Sequence, residues 1–277
     1  MSIRIIPRLD IKSENLVKGI HLEGIRVLGR PEQFARYYYE NGADELLYMD
    51  AVATLYDRNS ILEVVRQTSA ETFIPLTVGG GLRSLEDIRN ALHAGADKVS
   101  LNTAAIRTPN VIREASEHFG SSTIVISIEA KRRPNGGYEA YTDCGRESTG
   151  IEAISWAKRV EELGAGEILV TSIDREGTGQ GYDLDLTRQI ANSVSIPTIA
   201  CGGAGCTEHV LEVVERGAAD AISIASMLHY TLLKNEASFE DSAGGRFRGG
   251  YSRVGDSSIK AVKRCLVESG LECRLEG

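Results

Sequence analysis

The chain has 277 residues, 42% hydrophobic and 25% charged, a balance that supports a full buried core. Its net charge of −8 argues against nucleic acid as a partner, because phosphate backbones are bound by basic faces, but leaves room for small phosphorylated ligands. The five cysteines form no CxxC pair and the five histidines lack ligand spacing, so no disulfide framework, no metal and no other cofactor is expected.

Short apolar strands alternate with amphipathic helical stretches along the whole chain. Strands are expected near 4–9, 45–50, 73–78, 97–102, 124–129, 167–172, 197–201 and 220–226. Helices are expected near 31–42, 58–71, 84–94, 108–119, 150–163, 184–193, 207–216 and 257–269. The strands are apolar on both faces, as in a parallel sheet enclosed by helices. Eight such units in this length predict an α/β fold, a (β/α)8 TIM barrel. An open doubly wound sheet is the alternative. One domain over 1–277 is expected, with a flexible Gly/Arg-rich insertion near 237–256 before the last helix. No apolar run reaches membrane-spanning length, and Met1 leads into a strand with no signal-peptide pattern, so a cytoplasmic protein is expected.

The first strand ends at Leu9-Asp10-Ile11-Lys12, and Asn15-Leu16-Val17-Lys18-Gly19 reads as the first βα loop, from which Lys18 can offer a cation to phosphate. The third strand runs Phe73-Ile74-Pro75-Leu76-Thr77-Val78 into Gly79-Gly80-Gly81 and then a helix. Strand, glycine turn and helix start together present bare N–H groups to an anion. A turn needing positive φ would also select glycine, but it does not explain why the whole unit recurs at Ile196–Cys201 with Gly202-Gly203-Ala204-Gly205. Other segments repeat as well: Gly42-Ala43-Asp44 matches Gly164-Ala165-Gly166, and Ala94–Asp97 matches Gly217–Asp220. The chain therefore reads as two duplicated half-barrels.

The duplication sets Asp10 against Glu129 across the C-terminal mouth, where two carboxylates can divide acid and base work. Each could instead pair with the lysine two residues on, Lys12 or Lys131, although that holds only while the strand persists. Asp50, Asn102, Ser172, Asp174 and Ser226 sit at other strand ends. The Gly-rich segment 174–183 reads as a functional loop. At the opposite end Arg4, Glu45, Lys98 and Glu167 start their strands and would ring the barrel floor.

These stretches resemble the cyclase subunit of imidazole glycerol phosphate synthase over nearly the whole chain. The matching runs are Leu9–Lys12, Leu16–Gly19, Thr77–Gly81, Asp97–Ser100 with Asn102, Thr171–Arg175, Gly177-Thr178 with Gly181–Asp183, and Gly202–Gly205. The resemblance implies catalysis by Asp10 and Glu129. It puts Gly81 and Asn102 at one phosphate, Gly203 and Ser226 at the other, and Glu176 near the substrate; Lys18, Gly80, Thr171, Ser172, Asp174 and Gly202 complete the expected phosphate- and substrate-binding set. It also implies a glutaminase partner on the floor, with Arg4, Glu45, Lys98 and Glu167 as an ammonia gate. Three residues depart from the family pattern at the mouth: Glu129 and Glu176 replace aspartates, and Arg8 replaces a small residue. An added methylene displaces a carboxylate enough to matter. These departures lead to the expectation of a changed acceptor, and the resemblance to similar barrel–glutaminase pairs of surface-polysaccharide synthesis implies a nucleotide-activated amino sugar that gains an acetamidino group. The alternative is the authentic histidine-pathway cyclase reaction.

Overall fold

The computed structural model describes residues 2–51, 61–236, 239, 255 and 257–275. In chain order it begins with β1 (Arg4–Lys12), β2 (Asn15–Ile20), β3 (Glu23–Gly29), α1 (Pro31–Glu40), β4 (Leu46–Asp50), α2 (Ile61–Glu71), β5 (Leu76–Gly79), α3 (Leu85–His93) and β6 (Lys98–Leu101). It continues with α4 (Thr103–Arg107), α5 (Asn110–Phe119), β7 (Ile124–Arg132), β8 (Tyr138–Thr142), β9 (Glu147–Glu152), α6 (Ala153–Glu162) and β10 (Glu167–Ser172). The last elements are α7 (Leu184–Ala191), β11 (Thr198–Cys201), α8 (Thr207–Glu215), β12 (Ala221–Ile224), α9 (Ser226–Asn235) and α10 (Ile259–Glu268).

Among these, β1, β4, β5, β6, β7, β10, β11 and β12 pair in parallel in that order, and β12 pairs back onto β1, so the sheet closes into a barrel. Strand alternation divides the apolar residues. Ile6, Leu47, Met49, Val125, Leu169, Ile199, Cys201 and Ala221 fill the barrel interior. Their neighbours, such as Ile5, Tyr48, Ile126 and Ile222, belong to the separate outer core layer. Burial on both faces is why the strands read as unbroken apolar runs.

Two antiparallel hairpins depart from the expected plan. The stretch taken as the first βα loop is β2, which pairs with β1 and then with β3. The start of the helix expected over 150–163 belongs to β9, which pairs with β8, and the helix itself begins at Ala153. Each hairpin follows the first strand of a half-barrel, so the duplication extends to them. Strand β12 stops at Ile224, so Ser226 opens α9 instead of ending a strand. The insertion near 237–256, apart from Phe239 and Gly255, lies outside the described residues, as do the first three residues of the helix expected over 58–71.

The repeated Ala/Gly-Asp segments act as clamps between neighbouring strands. Asp44, Asp97 and Asp220 each donate their N–H to the carbonyl of Ile5, Leu76 and Thr198 respectively. Each carboxylate accepts the N–H of that same residue at 2.8 Å. At the fourth equivalent place Gly166 donates its N–H to the Ile124 carbonyl, but no carboxylate returns the bond. A Cβ there would strike the backbone of Ser121. Asp97→Ala and Asp220→Ala are each expected to lower stability by about 1–3 kcal/mol, because a strand N–H is left unpaired. Urea melts of the two variants check this; a midpoint unchanged in both would reject the clamp.

Candidate active site at the barrel mouth

On β1 the residues Arg4, Ile6, Arg8 and Asp10 share the inward face by alternation. Near the mouth, Arg8 Nε donates to Asp10 Oδ1 at 2.8 Å, and Lys18 Nζ reaches Asp10 Oδ2 at 3.3 Å. Lys18 also pairs with Glu176. The four groups form an alternating chain, Glu176–Lys18–Asp10–Arg8, and all are buried. Burial pushes the Asp10 carboxyl up, but the Arg8 and Lys18 charges outweigh it and hold it below the usual carboxylate value. Lys18 is only 1% exposed and sits on a strand, its ammonium committed to two carboxylates. Lys12 is exposed, and the cations on Asp10 come from Arg8 and Lys18.

Glu129, on β7, is held differently. Its Oε2 accepts from Asn102 Nδ2 at 3.1 Å, and the Gly145 backbone N–H donates to its carboxylate. Burial raises its pKa from 4.5 to about 7, against a partial pull from the Arg8 charge. Asp10 and Glu129 line one pocket together with Arg8, Lys18, Asp50 and Cys144. Two carboxyls with opposite shifts in one cavity are equipped for base and acid roles.

A glycine pocket adjoins each side. The larger is lined by Gly80, Gly81, Asn102, Arg107 and Glu129. The smaller is lined by Gly202, Gly203, Ser226, Ser223 and Glu176. Gly80 and Gly203 have φ of 93° and 110°. A Cβ on Gly80 would strike the Asp50 backbone, and one on Gly203 the carbonyl of Gly181. Packing therefore requires glycine at both turns irrespective of any ligand. The unpaired buried atoms in the pocket walls point more directly to one: Ser100 Oγ and Asn102 Oδ1 on the first side, Ser223 Oγ on the second. The duplication is also visible in the backbone. Asn102 (φ −131°, ψ −83°) and Ala225 (φ −120°, ψ −84°) turn the chain alike into the helices that follow.

The remaining expected site residues divide. Thr171 Oγ1 accepts from Arg8 Nη1 at 3.4 Å, and the buried Ser172 hydroxyl has no partner. Asp174 accepts the Arg132 backbone N–H at 2.9 Å and lines none of these three pockets, so it secures the end of β7. Sequence reasoning missed Cys144 and Leu22, which the two hairpins bring to the mouth, and no local motif marks either. It also missed His229, whose ring bridges Tyr38 OH (2.7 Å) and the Arg8 carbonyl (2.9 Å) beneath β1.

At the floor the four expected charges meet. Arg4 lies 2.5 Å from Glu45 and 3.1 Å from Glu167, and Lys98 lies 3.1 Å from Glu45 and 2.9 Å from Glu167. They form a closed, charge-balanced ring beneath the apolar interior.

A closed (β/α)8 barrel with a pair of buried carboxylates at its C-terminal mouth is an enzyme architecture. The chain belongs to the family described as "Histidine biosynthesis protein", whose model matches residues 4–234. Its relatives place it with the HisF-type subunits of imidazole glycerol phosphate synthase, which are enzymes. It is 55% identical over 207 residues to "Imidazole glycerol phosphate synthase subunit HisF" of Legionella pneumophila, covering 75% of this chain and 98% of the relative. It is 45% identical over 272 residues to the protein of that name from Bacillus cereus (strain G9842), covering 98% of each. With the Methanocaldococcus jannaschii protein it shares 51% over 246 residues, 82% of this chain and 90% of the relative. These names favour the histidine-pathway reading over the amino-sugar one. No helix among the described residues is long and apolar enough to cross a membrane.

Proposed function

We propose that the chain is the cyclase subunit of an imidazole glycerol phosphate synthase, a cytoplasmic enzyme that adds ammonia to a phosphate-bearing ribonucleotide. A glutaminase partner docks on the floor and releases ammonia there. The ring of Arg4, Glu45, Lys98 and Glu167 is the gate, and ammonia passes along the barrel interior. The substrate lies across the mouth with its phosphates in the pockets of Gly80, Gly81 and Asn102 and of Gly202, Gly203 and Ser226. The observation that carries this reading is the pair Asp10 and Glu129 in one pocket, which shares Met49, Asp50, Glu129 and Cys144 with the first glycine pocket and is linked to the second by the Lys18–Glu176 pair. Asp10, ionised at neutral pH, accepts the proton shed as nitrogen attacks, and Glu129 delivers a proton to the departing oxygen or nitrogen.

A second reading rests on one observation: the Arg8–Asp10 ion pair, together with Glu129 and Glu176, alters the mouth while the floor ring stays intact. It keeps the ammonia chemistry and changes the acceptor to a nucleotide-linked amino sugar. One assay separates the two. The purified chain is given the histidine-pathway ribonucleotide and ammonium chloride, without a glutaminase. Formation of imidazole glycerol phosphate at enzymatic rates is the expected result. Folded protein that binds inorganic phosphate but makes no product would reject the cyclase reading in favour of the amino-sugar acceptor.

A further inference from the structure

The two mouth carboxylates are supported in unlike ways. Glu129 rests on an amide and a backbone N–H, both neutral donors. Asp10 is gripped on both oxygens by cations. One of these, Arg8, is itself fixed at three points. Its Nε faces Asp10, its Nη1 reaches Thr171 Oγ1 and Cys201 Sγ at 3.4 Å each, and its backbone carbonyl accepts from His229. The guanidinium thus spans the interior from β1 to β10 and β11 and is only 3% exposed. A planar donor fork anchored at its far end dictates the plane of the carboxylate it binds, which a point-charge ammonium does not.

We propose that Arg8 is a positioning residue for the reaction: its guanidinium holds the Asp10 carboxylate in one orientation and one charge state, so that Asp10 only takes protons up and Glu129 alone brings one in. This rests on Asp10 and Glu129 being the proton-transfer pair of the preceding section. The groups around Asp10 agree with it. His229, on α9 behind β1, is kept neutral by burial, with its pKa lowered to about 3, so it adds no competing cation. Glu176 is neutralised by Lys18 on β2. Asp50 on β4 and Cys144 on the second hairpin complete the pocket, and burial raises the Cys144 thiol to about 12, so it stays protonated. Removing the Arg8 charge would leave Asp10 buried with Lys18 as its cation, and that lysine is shared with Glu176.

The test uses the full chain with Arg8→Gln and Arg8→Lys substitutions. Asp10 titration is followed by carbon NMR of aspartate-labelled protein, the signal being identified by its loss in Asp10→Asn. The expected result is an upward move of the Asp10 titration by a unit or more in Arg8→Gln, with Arg8→Lys between it and the parent. In parallel, kcat/KM with ammonium chloride is measured for the parent and Arg8→Gln. Free ammonia falls equally for both as pH drops, so their ratio isolates the site. The ratio of Arg8→Gln to parent is expected to fall about twofold or more between pH 6 and pH 4, a range in which Glu129 keeps its proton in both proteins. An Asp10 titration unmoved in Arg8→Gln overturns the proposal, as does a rate ratio independent of pH. If the titration moves but no protein converts the ribonucleotide at any pH, the hold of Arg8 on Asp10 stands and the cyclase reaction is overturned instead. Arg8→Lys keeps the buried charge, so the comparison survives even if Arg8→Gln fails to fold.

Discussion

Asp10→Asn is expected to lower ammonia-dependent kcat by about 10²–10⁴-fold, the usual contribution of a positioned acid or base. The amide keeps the size of the side chain but cannot accept the proton. Inorganic phosphate binding should persist, because the pockets of Gly80–Gly81 and Gly202–Gly203 are built by other elements. Stability should suffer too. Arg8, buried and 2.8 Å from the lost charge, would keep its own charge without that partner. Breaking a buried pair in this way costs about 3–5 kcal/mol. The pH dependence has a definite sign. The folded value of Asp10 lies below the ordinary 3.8, so its ionisation stabilises the fold above 3.8 and that contribution is lost as pH falls through the folded value. Urea midpoints of parent and variant should therefore differ most at neutral pH and converge in strong acid. A gap constant with pH would show that the ion pair contributes nothing.

Glu129→Gln is expected to cost a comparable factor in kcat while stabilising the protein at alkaline pH. The Glu129 value is raised from 4.5 to about 7 by burial, so the folded state binds the proton more tightly than the unfolded state does. Between these two values stability falls as pH rises, and above about 7 the parent holds a buried carboxylate that carries the full penalty. Glutamine removes the penalty. The variant should be more stable than the parent by up to roughly 3 kcal/mol at pH 8 and equal to it near pH 4. Kinetically, the parent should lose its proton donor above about pH 7, which gives kcat a falling alkaline limb that the variant lacks. Denaturant melts at pH 4 and pH 8 with a pH–rate profile test both halves. A variant less stable than the parent at pH 8 would mean that Glu129 is not desolvated.

Much of the barrel was legible because burial on both faces writes strands as continuous apolar runs and the duplication marks each one twice. The hairpins were not. The turn between β2 and β3 uses His21 and Leu22 at φ of 52° and 64°, residues that give no turn signal. The Pro134-Asn135-Gly136-Gly137 stretch before β8 did carry one, and it was passed over. Helix α9 escaped because Met227, Leu228, His229, Tyr230, Leu232 and Leu233 are all buried, leaving no polar stripe to reveal a period. At the site, the opposition of Asp10 and Glu129 and the four floor charges followed from the repeat. The fate of Lys18 did not, because its partner Glu176 comes from the other half of the chain, and only the closed barrel brings them together.

Closure of the barrel also has a consequence for how the chain folds. The sheet has two seams between its half-barrels, and they differ greatly in reach. One joins β6 to β7, pairing Val99 with Ile124, a short excursion. The other joins β1 to β12, pairing Arg4 with Ala221, so nearly the whole chain must be looped before a single one of its bonds forms. Loop-closure entropy makes that seam the late event, and pairings so distant in sequence slow folding. Before it forms, β1 and β12 are open parallel edges lined with apolar side chains, the kind of surface that pairs with another molecule. Refolding yield should therefore fall as protein concentration rises, and the vulnerable species would be a sheet complete in all but its last seam.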